Sequence, residues 1–367
     1  MTADSVGGVW TYAAELARGL ADRGIEILLV SSGGPLTDAQ RSEIEVLPHV
    51  RLVETRSKLE WMDDAWNDVE ALGRRLLELA AEFRPDVVHL NEYSHAALDW
   101  RVPKLVVGHS CVFSWFESVR GQAPGPEWER YRRSVTSGLR AADVVVAPTQ
   151  FMLDALRRHY GPLHRATVIS NGLTRSGGQH AQPPKEPFVF AAGRWWDEAK
   201  NIASLGRVAA SVPWPIKVAG LPSPEGHRTD LPAGVVSLGR LSSDEMSEQY
   251  ARAAIYCLPA RYEPFGLTPL EAASAGCALV LGDTPSLREV WDDAATFVSP
   301  TDDSAIASRL TELIADEAAR TELARRGRAR AALFSRSRMA EAYSKLYREL
   351  VKERVASIAE SFAGGVR

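Results

Sequence analysis

The sequence predicts an α/β fold made of two Rossmann-like, doubly wound domains. Short continuous apolar segments alternate with amphipathic helical patterns along the 367 residues, which is typical of parallel sheets covered by helices on both faces. The alternation stops at a stretch rich in Gly, Pro and polar residues and then starts again. A chain of this length also suits two domains of about 150 to 180 residues. We predict a first domain at 1–172, a linker at 173–187, a second domain at 188–335 and a C-terminal helix at 336–367.

The composition narrows the classes of function. Hydrophobic residues make up 45% of the chain and charged residues 25%, as in globular proteins. The net charge of −4 argues against nucleic acid as the main partner, because proteins that bind phosphate backbones are usually basic. Cys111, Cys257 and Cys277 are far apart and lack metal-binding spacing, which predicts a reduced, cytoplasmic protein without a metal site. We find no apolar run of about 18 residues and no signal peptide pattern, and the high Ala, Arg and Gly content suggests a GC-rich bacterial genome.

The first domain opens with a glycine-rich loop, Gly7-Gly8, before an amphipathic helix that ends at Gly24. In a doubly wound fold such a loop follows a strand, yet only Met1 to Ala3 precede it. We therefore expect that most of the first strand is missing and that Met1 is an internal methionine of a longer reading frame. An in-frame stretch of about five apolar residues upstream would support this expectation, and its absence would contradict it.

The remaining strands of the first domain are predicted from buried-type apolar runs at residues 25–30, 86–90, 105–107, 142–147 and 168–169. Polar or aromatic residues follow two of these strands directly: Glu92 and Tyr93 after the second, and His109 after the third. Because ligands bind at the carboxyl ends of parallel strands, these residues are candidates for a site.

In the second domain, strands are predicted at residues 188–192, 216–219, 235–238, 255–258, 279–281 and 296–298. The last helix repeats apolar residues from Met339 to Phe362, so it has a face to bury. A dimerising helix is one interpretation of that face.

One stretch, residues 261–277 with the sequence RYEPFGLTPLEAASAGC, combines two carboxylates with a glycine turn and a helix start. Unpaired N–H groups at a helix N-terminus, together with the helix dipole, form an anion site that suits a diphosphate. Glu271 can accept hydrogen bonds from two neighbouring hydroxyls, as on a ribose, and Glu263 can reach a polar group on the other side. Alternatively, Thr268, Pro269 and Glu271 fit a capping box.

This stretch resembles the E-x7-E signature of the retaining nucleotide-sugar glycosyltransferases of glycosyltransferase family 4. The Glu-Pro-Phe-Gly-Leu opening, the Leu-Glu-Ala that follows and Gly276 all match. The resemblance extends from Gly7 to about Tyr347 and implies the GT-B fold, in which two Rossmann-like domains face each other across a cleft. It also implies that the C-terminal helix crosses back onto the first domain.

The resemblance assigns the candidate catalytic residues. Arg194 and Lys200, in AAGRWWDEAKN, resemble the family's Gly-Arg…Lys motif, whose cations bind the donor diphosphate and stabilise the charge of the leaving nucleotide. The sequence lacks an Asp-x-Asp pair, so we expect no metal or other cofactor. His109 matches a histidine that contacts the donor sugar, although a buried histidine bonded to a backbone carbonyl is the alternative. Glu263 completes this set.

The resemblance also implies the donor-binding residues. The Gly7-Gly8 loop lies near the phosphates in the family, and backbone N–H groups of Phe265, Gly266 and Leu267 bind the diphosphate or sugar. The region of Leu238, Arg240 and Leu241 holds the base, and Glu271 binds the ribose.

The acceptor site is less well indicated. The candidates are Trp10, Glu92, Tyr93 and Trp115, since aromatic faces suit sugars, but tryptophans also serve as ordinary core. The arginines between 320 and 330 are interpreted as a solvated helix face, with at most peripheral membrane contact.

These observations predict a cytoplasmic, retaining, metal-independent hexosyltransferase. Its donor would be a nucleotide-diphosphate sugar and its acceptor a sugar, lipid or natural-product hydroxyl. A nucleotide-sugar epimerase and a non-catalytic sugar-nucleotide-binding protein are the alternatives. An NAD-dependent oxidoreductase is excluded because the chain has no G-x-G-x-x-G.

Overall fold

The computed structural model describes residues 1–174, 183–220 and 234–364, so residues 175–182 of the predicted linker lie outside the described residues. The chain divides into two compact units, each built on parallel β-sheet with helices around it. Unit 1 contains Met1–Ser114, Gln122–Gly172 and the segment from Arg336 onward, and unit 2 contains Trp115–Gly121 and Leu173–Ser335. The predicted fold class, α/β with two Rossmann-like domains, is confirmed.

Unit 1 alternates strands and helices in the way its apolar runs predict. The strands are β1 (Thr2–Asp4), β2 (Ile27–Ser32), β3 (Val50–Glu54), β4 (Val88–Leu90), β5 (Lys104–Val107), β6 (Val144–Ala147) and β7 (Ala166–Val168). The helices are α1 (Gly8–Ala21), α2 (Asp38–Glu45), α3 (Trp66–Phe83), α4 (Val112–Arg120), α5 (Glu129–Ala141) and α6 (Gln150–Tyr160). Of these, α4 begins in unit 1 and belongs to unit 2 from Trp115 onward. All described strand pairs are parallel and form two sheets, of order β1-β2-β3 and β4-β5-β6-β7.

The two sheets of unit 1 separate between β1 and β4. β1 pairs with β2 in a register that places Thr2 opposite Val30, so the strand expected to be largely missing is present as three residues. The Met1 ammonium donates to the carbonyl of Leu28 over 2.8 Å. A cavity of about 950 Å³ lies beside Met1, and residues of both β2 and β4, such as Leu28 and Val88, line it.

The sequence patterns did not predict β3. Its residues VRLVE are half-buried or exposed, with Arg51 exposed, because β3 lies at the edge of its sheet beside β2. An edge strand of this kind lacks the continuous apolar run that identifies a buried parallel strand.

The last helix, α13 (Arg336–Gly364), packs along α1 within unit 1. Gly19 permits the close approach, since a Cβ at Gly19 would lie 2.7 Å from the Cβ of Ala340. Tyr343 and Leu350 of α13 are buried, whereas Ile358 is exposed. The apolar repeat of α13 is thus buried as far as Leu350.

Unit 2 contains one six-stranded parallel sheet of order β10-β9-β8-β11-β12-β13. Its strands are β8 (Glu186–Ala192), β9 (Ile216–Ala219), β10 (Val235–Gly239), β11 (Ala253–Leu258), β12 (Ala278–Gly282) and β13 (Thr296–Val298). Its helices include α7 (Ile202–Val208), α8 (Ser243–Arg252), α9 (Leu267–Ser274), α10 (Pro285–Trp291), α11 (Asp303–Ala315) and α12 (Glu317–Ala331). In the described parts of the chain, no helix is long and apolar enough to cross a membrane.

Candidate functional site

The carboxyl ends of β8 and β11 form the topological switch point of unit 2. β8 and β11 are neighbours, and the strands that follow each of them extend the sheet in opposite directions. Ligands of open α/β sheets bind in the crevice outside the strand ends at such a point. The loop after β8 carries Arg194 and Lys200, and the loop after β11 carries Glu263. The fold therefore brings three predicted residues to the edge where a ligand is expected.

Lys200 and Glu263 form an ion pair between these two loops. The Lys200 Nζ donates to the Glu263 Oε2 over 2.5 Å, and their side chains are 25% and 12% exposed. The Ser286 hydroxyl, at the start of α10, donates to the backbone carbonyl of Glu263 over 2.6 Å. An ammonium group has three donors, so Lys200 can hold Glu263 and still donate to a ligand oxygen.

Arg194 is held by a carboxylate on its own loop. Its Nη2 donates to the Asp197 Oδ2 over 2.7 Å, and its guanidinium lies 5.0 Å from the centre of the Trp196 ring. The Arg194 side chain remains 40% exposed, whereas Asp197 is 9% exposed. A guanidinium with five donors and one carboxylate partner can still bind phosphate oxygens.

Asn201 connects the loop after β8 to the loop after β11. It lies in the left-handed region with φ 53°, and its Nδ2 donates to the carbonyls of Pro259 over 2.9 Å and Pro300 over 2.7 Å. The Arg261 N–H also donates to the Ala199 carbonyl over 2.8 Å. Asn201, Asp197 and Ser286 were not predicted as site residues. Of these three residues, only Asn201 could have been suspected from the sequence, because it directly follows Lys200.

Helix α9 begins without a side-chain cap. Gly266, in the left-handed region with φ 92°, is the N-cap residue, and the first turn contains no acidic side chain. The capping-box alternative is therefore wrong, and the Thr268 Oγ1 instead accepts from the Tyr256 hydroxyl over 2.8 Å. The N-cap residue of α9 thus offers no side-chain acceptor to the first-turn N–H groups, which suits an anionic ligand.

The residues around this helix start differ in exposure. Phe265 is buried, with its ring edge-to-face against Phe334 at 5.5 Å, so its side chain belongs to the core. Leu267 and Glu271 are half-buried. Burial raises the pKa of the Tyr250 hydroxyl well above its usual range, and the nearby Glu271 carboxylate raises it further. A protonated Tyr250 therefore stands beside the Glu271 carboxylate.

The region predicted to hold the base lies at the end of edge strand β10. β10 ends at Gly239, which has φ 65°, and Leu238 and Leu241 beside it are half-buried. Arg240 is exposed. The position at a sheet edge leaves main-chain groups available to a ligand.

In unit 1, Gly7 and Gly8 form the start of α1. Gly7 is the N-cap residue with φ 85°, and this helix too begins without a side-chain cap or an acidic residue. Both glycines are exposed. No atom lies within 4 Å of the position that a Cβ of Gly7 would occupy, so the positive φ, rather than crowding, requires glycine.

His109 follows β5 in unit 1 and is bonded to an asparagine rather than to a backbone carbonyl. Its Nε2 lies 2.8 Å from the Oδ1 of Asn91, and its ring packs edge-on against Tyr12 at 4.5 Å. Burial lowers the pKa of the His109 imidazole to about 3. His109 is thus neutral at physiological pH.

This low pKa makes the folded protein sensitive to acid. Below pH 6.5 the unfolded chain protonates His109 but the folded protein does not until about pH 3, so stability falls as the pH falls through this window. Part of the His109 side chain is accessible, so we expect a loss of about 1 kcal/mol per pH unit from this residue. The difference between the melting temperatures at pH 7.5 and pH 5.5 should be smaller in His109→Gln than in wild type. An unchanged difference would contradict the assignment.

Two predicted acceptor residues of unit 1 are buried and bonded internally. The Trp10 Nε1 donates to Glu43 over 3.1 Å, and the Tyr93 hydroxyl donates to the carbonyl of Ser110 over 2.7 Å. Both side chains are buried, which favours the core alternative for Trp10.

The other two acceptor candidates, Glu92 and Trp115, differ in how deeply their side chains are buried. Glu92 is buried, accepts from the Ser32 hydroxyl over 2.6 Å and has its Oε2 3.3 Å from the Nδ1 of His95. Trp115 is half-buried in unit 2, and the guanidinium of Arg120 lies 5.2 Å from its ring centre. Of the four candidates, Trp115 is the one with an accessible side chain.

Within the described residues, no cluster of three or more His, Cys, Asp or Glu side chains could hold a metal ion. The arginines of α12 fit the predicted solvated face only in part. Arg325 is exposed and pairs with Glu322 over 2.7 Å. The half-buried Arg320 and Arg330 instead donate to the backbone carbonyls of Leu313 and Val290.

Comparison with known proteins identifies the family. Residues 6–176 match the family model described as Glycosyltransferase Family 4, and residues 178–330 match the model described as Glycosyl transferases group 1. The chain belongs to glycosyltransferase family 4. Its membership favours a transferase over the epimerase alternative, and the predicted family is confirmed.

Individual members show how far this similarity extends. The family 4 chain is 26% identical to a glycogen synthase of Mycobacterium tuberculosis, covering 89% of this chain and 86% of that protein. Sucrose-phosphate synthase from Thermosynechococcus elongatus superposes with a TM-score of 0.81 and 22% identity over 95% of both chains. Anabaena HepE, solved in complex with UDP-glucose, gives a TM-score of 0.71 and 17% identity over 96% of both chains. At identities of 22% and 17%, the similarity to these two solved structures shows a shared fold.

Proposed function

We propose that this family 4 glycosyltransferase is a retaining, metal-independent enzyme that transfers a hexosyl unit from a nucleotide-diphosphate sugar to a hydroxyl group. The observation that carries the proposal is the Lys200–Glu263 pair at the switch point of unit 2, with Arg194 on the same loop as Lys200. The uncapped start of α9, in the same unit, adds a second element that favours an anion.

The proposed chemistry follows from where charge develops. Breaking the bond between the sugar C1 and the phosphate oxygen leaves negative charge on the nucleotide. Cations held in place before the reaction stabilise this charge more strongly as it grows, which accelerates the step. Lys200 and Arg194 supply these cations, and Glu263 orients the Lys200 ammonium. Glu263 is therefore a positioning residue for Lys200 and is not assigned a general-base role.

The donor class is supported by the solved complexes of Anabaena HepE with UDP and with UDP-glucose. The related glycogen synthase is consistent with a glucosyl donor and a saccharide acceptor. For this chain we propose a sugar, lipid or small-molecule hydroxyl as acceptor, without choosing among them. A cytoplasmic location is also proposed, since Cys111, Cys257 and Cys277 are buried and unpaired.

A thermal-shift panel tests the donor proposal. UDP, GDP, ADP and dTDP, each with and without an attached sugar, are added to wild type and to Lys200→Ala. A ligand that binds only the folded state stabilises it by about 2.7 kcal/mol at a hundredfold excess over its dissociation constant. A shift with one nucleotide that is reduced in Lys200→Ala supports the site. No shift with any nucleotide would instead favour a non-catalytic protein.

Stereochemistry and metal dependence need separate assays. NMR of the first-formed product distinguishes retention from inversion at C1, and an inverted product would contradict a retaining enzyme. Turnover that is unchanged by EDTA supports metal independence, and turnover that EDTA abolishes and Mg²⁺ restores would contradict it.

We expect Glu271→Ala to weaken donor binding while the protein stays folded. Loss of a carboxylate that accepts from two ribose hydroxyls should raise KM for the donor by about 10²- to 10⁴-fold, since hydrogen bonds to charged groups contribute about 1.5 to 3 kcal/mol each. Glu289→Ala, on α10 of the same unit, is the matched control. A Glu271→Ala enzyme with the wild-type KM would remove Glu271 from the site.

A further inference from the structure

Asn91 has an orientation that its neighbours determine. Its backbone N–H donates to the Thr2 Oγ1 over 2.8 Å, and its Nδ2 donates to the Thr2 carbonyl over 2.6 Å. A carbonyl oxygen cannot donate, so the amide nitrogen of Asn91 must face Thr2. The Oδ1 of Asn91 therefore points the other way, and it is an acceptor only.

Two imidazoles are directed at this one oxygen. The Nε2 of His109 lies 2.8 Å from it and the Nε2 of His89 lies 3.3 Å from it. Because the oxygen only accepts, the 2.8 Å contact with His109 requires that imidazole to carry its proton on Nε2. The contacts of His89 fit either tautomer, because its Nε2 is also 3.3 Å from the Tyr12 hydroxyl and its Nδ1 is 2.6 Å from the Tyr347 hydroxyl.

We propose that Asn91 is a positioning residue that holds His109 as the neutral Nε2–H tautomer and leaves the Nδ1 of His109 as a hydrogen-bond acceptor. Neither bonds nor ion pairs link the Nδ1 of His109 to the residues that the structure describes, and the side chain is half-buried. The family resemblance assigns His109 a sugar contact, but nothing in it assigns a role to Asn91.

The tautomer restricts what His109 can bind. A bare Nδ1 lone pair accepts from a hydroxyl and repels a phosphate oxygen, which has no proton to donate. His109 therefore selects a sugar hydroxyl and takes no part in neutralising the diphosphate. This step rests on the proposed function, because it takes the ligand to be a sugar.

The groups around His109 also keep it neutral. Tyr12 on α1 packs against its ring, His89 on β4 shares its acceptor, and Tyr343 and Tyr347 on α13 pack around Tyr12 and His89. No carboxylate is bonded to His109 among the described residues. An aspartate at position 91 would introduce one.

The first test needs no variant of Asn91 and no substrate. Protein labelled with ¹⁵N-histidine is examined by multiple-bond ¹H–¹⁵N correlation, which shows which ring nitrogen carries the proton. The His109 signals are assigned by their loss in His109→Gln. We expect the Nε2–H tautomer, unchanged between pH 8 and pH 5.5. An Nδ1–H tautomer, or titration of His109 within this range, would overturn the proposal.

The second test changes the acceptor while preserving side-chain size. Asn91→Leu removes the oxygen, so the His109 signals should shift toward a mixture of tautomers and kcat/KM should fall by about tenfold, as for other groups that orient a histidine. His95, which donates to the Val69 carbonyl instead, is the internal control and should keep its spectrum. An unchanged His109 spectrum in Asn91→Leu would contradict a role in fixing the tautomer.

Asn91→Asp separates tautomer control from packing. The carboxylate keeps an acceptor for His109 and raises the pKa of the imidazole, although it cannot donate to the Thr2 carbonyl as the Asn91 amide does. Relative to its own activity at pH 8.5, the variant should therefore lose activity as the pH drops through the raised pKa of His109. The activity of wild type should not show this fall with falling pH. Identical pH profiles would contradict the proposal. If the spectra fit but no nucleotide sugar is turned over, the proposed function fails and the tautomer assignment stands.

Discussion

Replacing Lys200 with alanine is expected to lower kcat/KM by about 10²- to 10³-fold, the usual cost of removing one group that stabilises transition-state charge. The Lys200 ammonium is one of the donors that join the loops after β8 and β11 at the switch point. Its removal takes away the cation that we propose for the leaving diphosphate, and it leaves the Glu263 carboxylate, 12% exposed, without this partner. Initial rates with the nucleotide sugar identified by thermal shift measure the effect.

Two further variants separate charge from stability in this experiment. Lys200→Ala with Glu263→Gln removes both charges, so it should regain the stability lost in Lys200→Ala but none of the activity. Lys352→Ala removes an exposed lysine of α13 and should behave as wild type. A Lys200→Ala enzyme as active as the Lys352→Ala control would show that Lys200 does not contact the diphosphate.

Gly138→Ala is expected to destabilise unit 1 by about 3 kcal/mol or more, because close-packed backbone cannot move aside for a methyl group. Gly138 lies in α5 where this helix packs on the loop after β4, and a Cβ there would be 1.8 Å from the carbonyl oxygen of Tyr93. For a unit of this size the loss corresponds to a melting temperature about 6 to 12 °C lower. Calorimetry of the two proteins measures it.

Gly327→Ala is the matched control, since Gly327 also lies inside a helix, α12. The nearest non-neighbouring atom to its added Cβ would be 3.5 Å away, an ordinary contact. Alanine is favoured over glycine in helices by about 1 kcal/mol, so this variant should be as stable as wild type or more so. Equal melting temperatures for the two alanine variants would contradict the close approach of α5.

Apolar periodicity was sufficient to predict the fold, but it did not reveal every element. Buried parallel strands such as β6 and β11 are continuous apolar runs, because both of their faces are covered. β3, at a sheet edge and beside solvent, has no such run and was missed. Predicted and observed strand ends also differ by about two residues, as at the start of β4, because backbone pairing rather than composition determines where a strand begins and ends.

The candidate site could be predicted only in part. Residues whose chemistry would touch a ligand, such as Arg194 and Lys200, belong to a motif with fixed spacing. Asp197, Asn201 and Ser286 act on neighbouring backbone or side chains, and their types are common in any loop. Thr268 is an example of a pattern that predicts the wrong interaction. Its spacing from Glu271 fits a capping box, but its hydroxyl bonds to Tyr256 instead. Spacing along the chain does not reveal which partner the fold supplies.

β1 and β4 belong to separate sheets, and this limits how long the proposed tautomer of His109 can persist. In the described residues, β1 is held in its sheet by β2 on one side, while on the other side it contacts Asn91 through Thr2. A strand of three residues with one ladder opens more readily than a central strand, and local opening exposes its amides to exchange with solvent. An opening that carries Thr2 away from Asn91 removes both hydrogen bonds that orient the Asn91 amide, and with them the fixed position of its oxygen. The amide exchange rate of Ala3 therefore sets an upper limit to the lifetime of the histidine arrangement on which the sugar contact would depend.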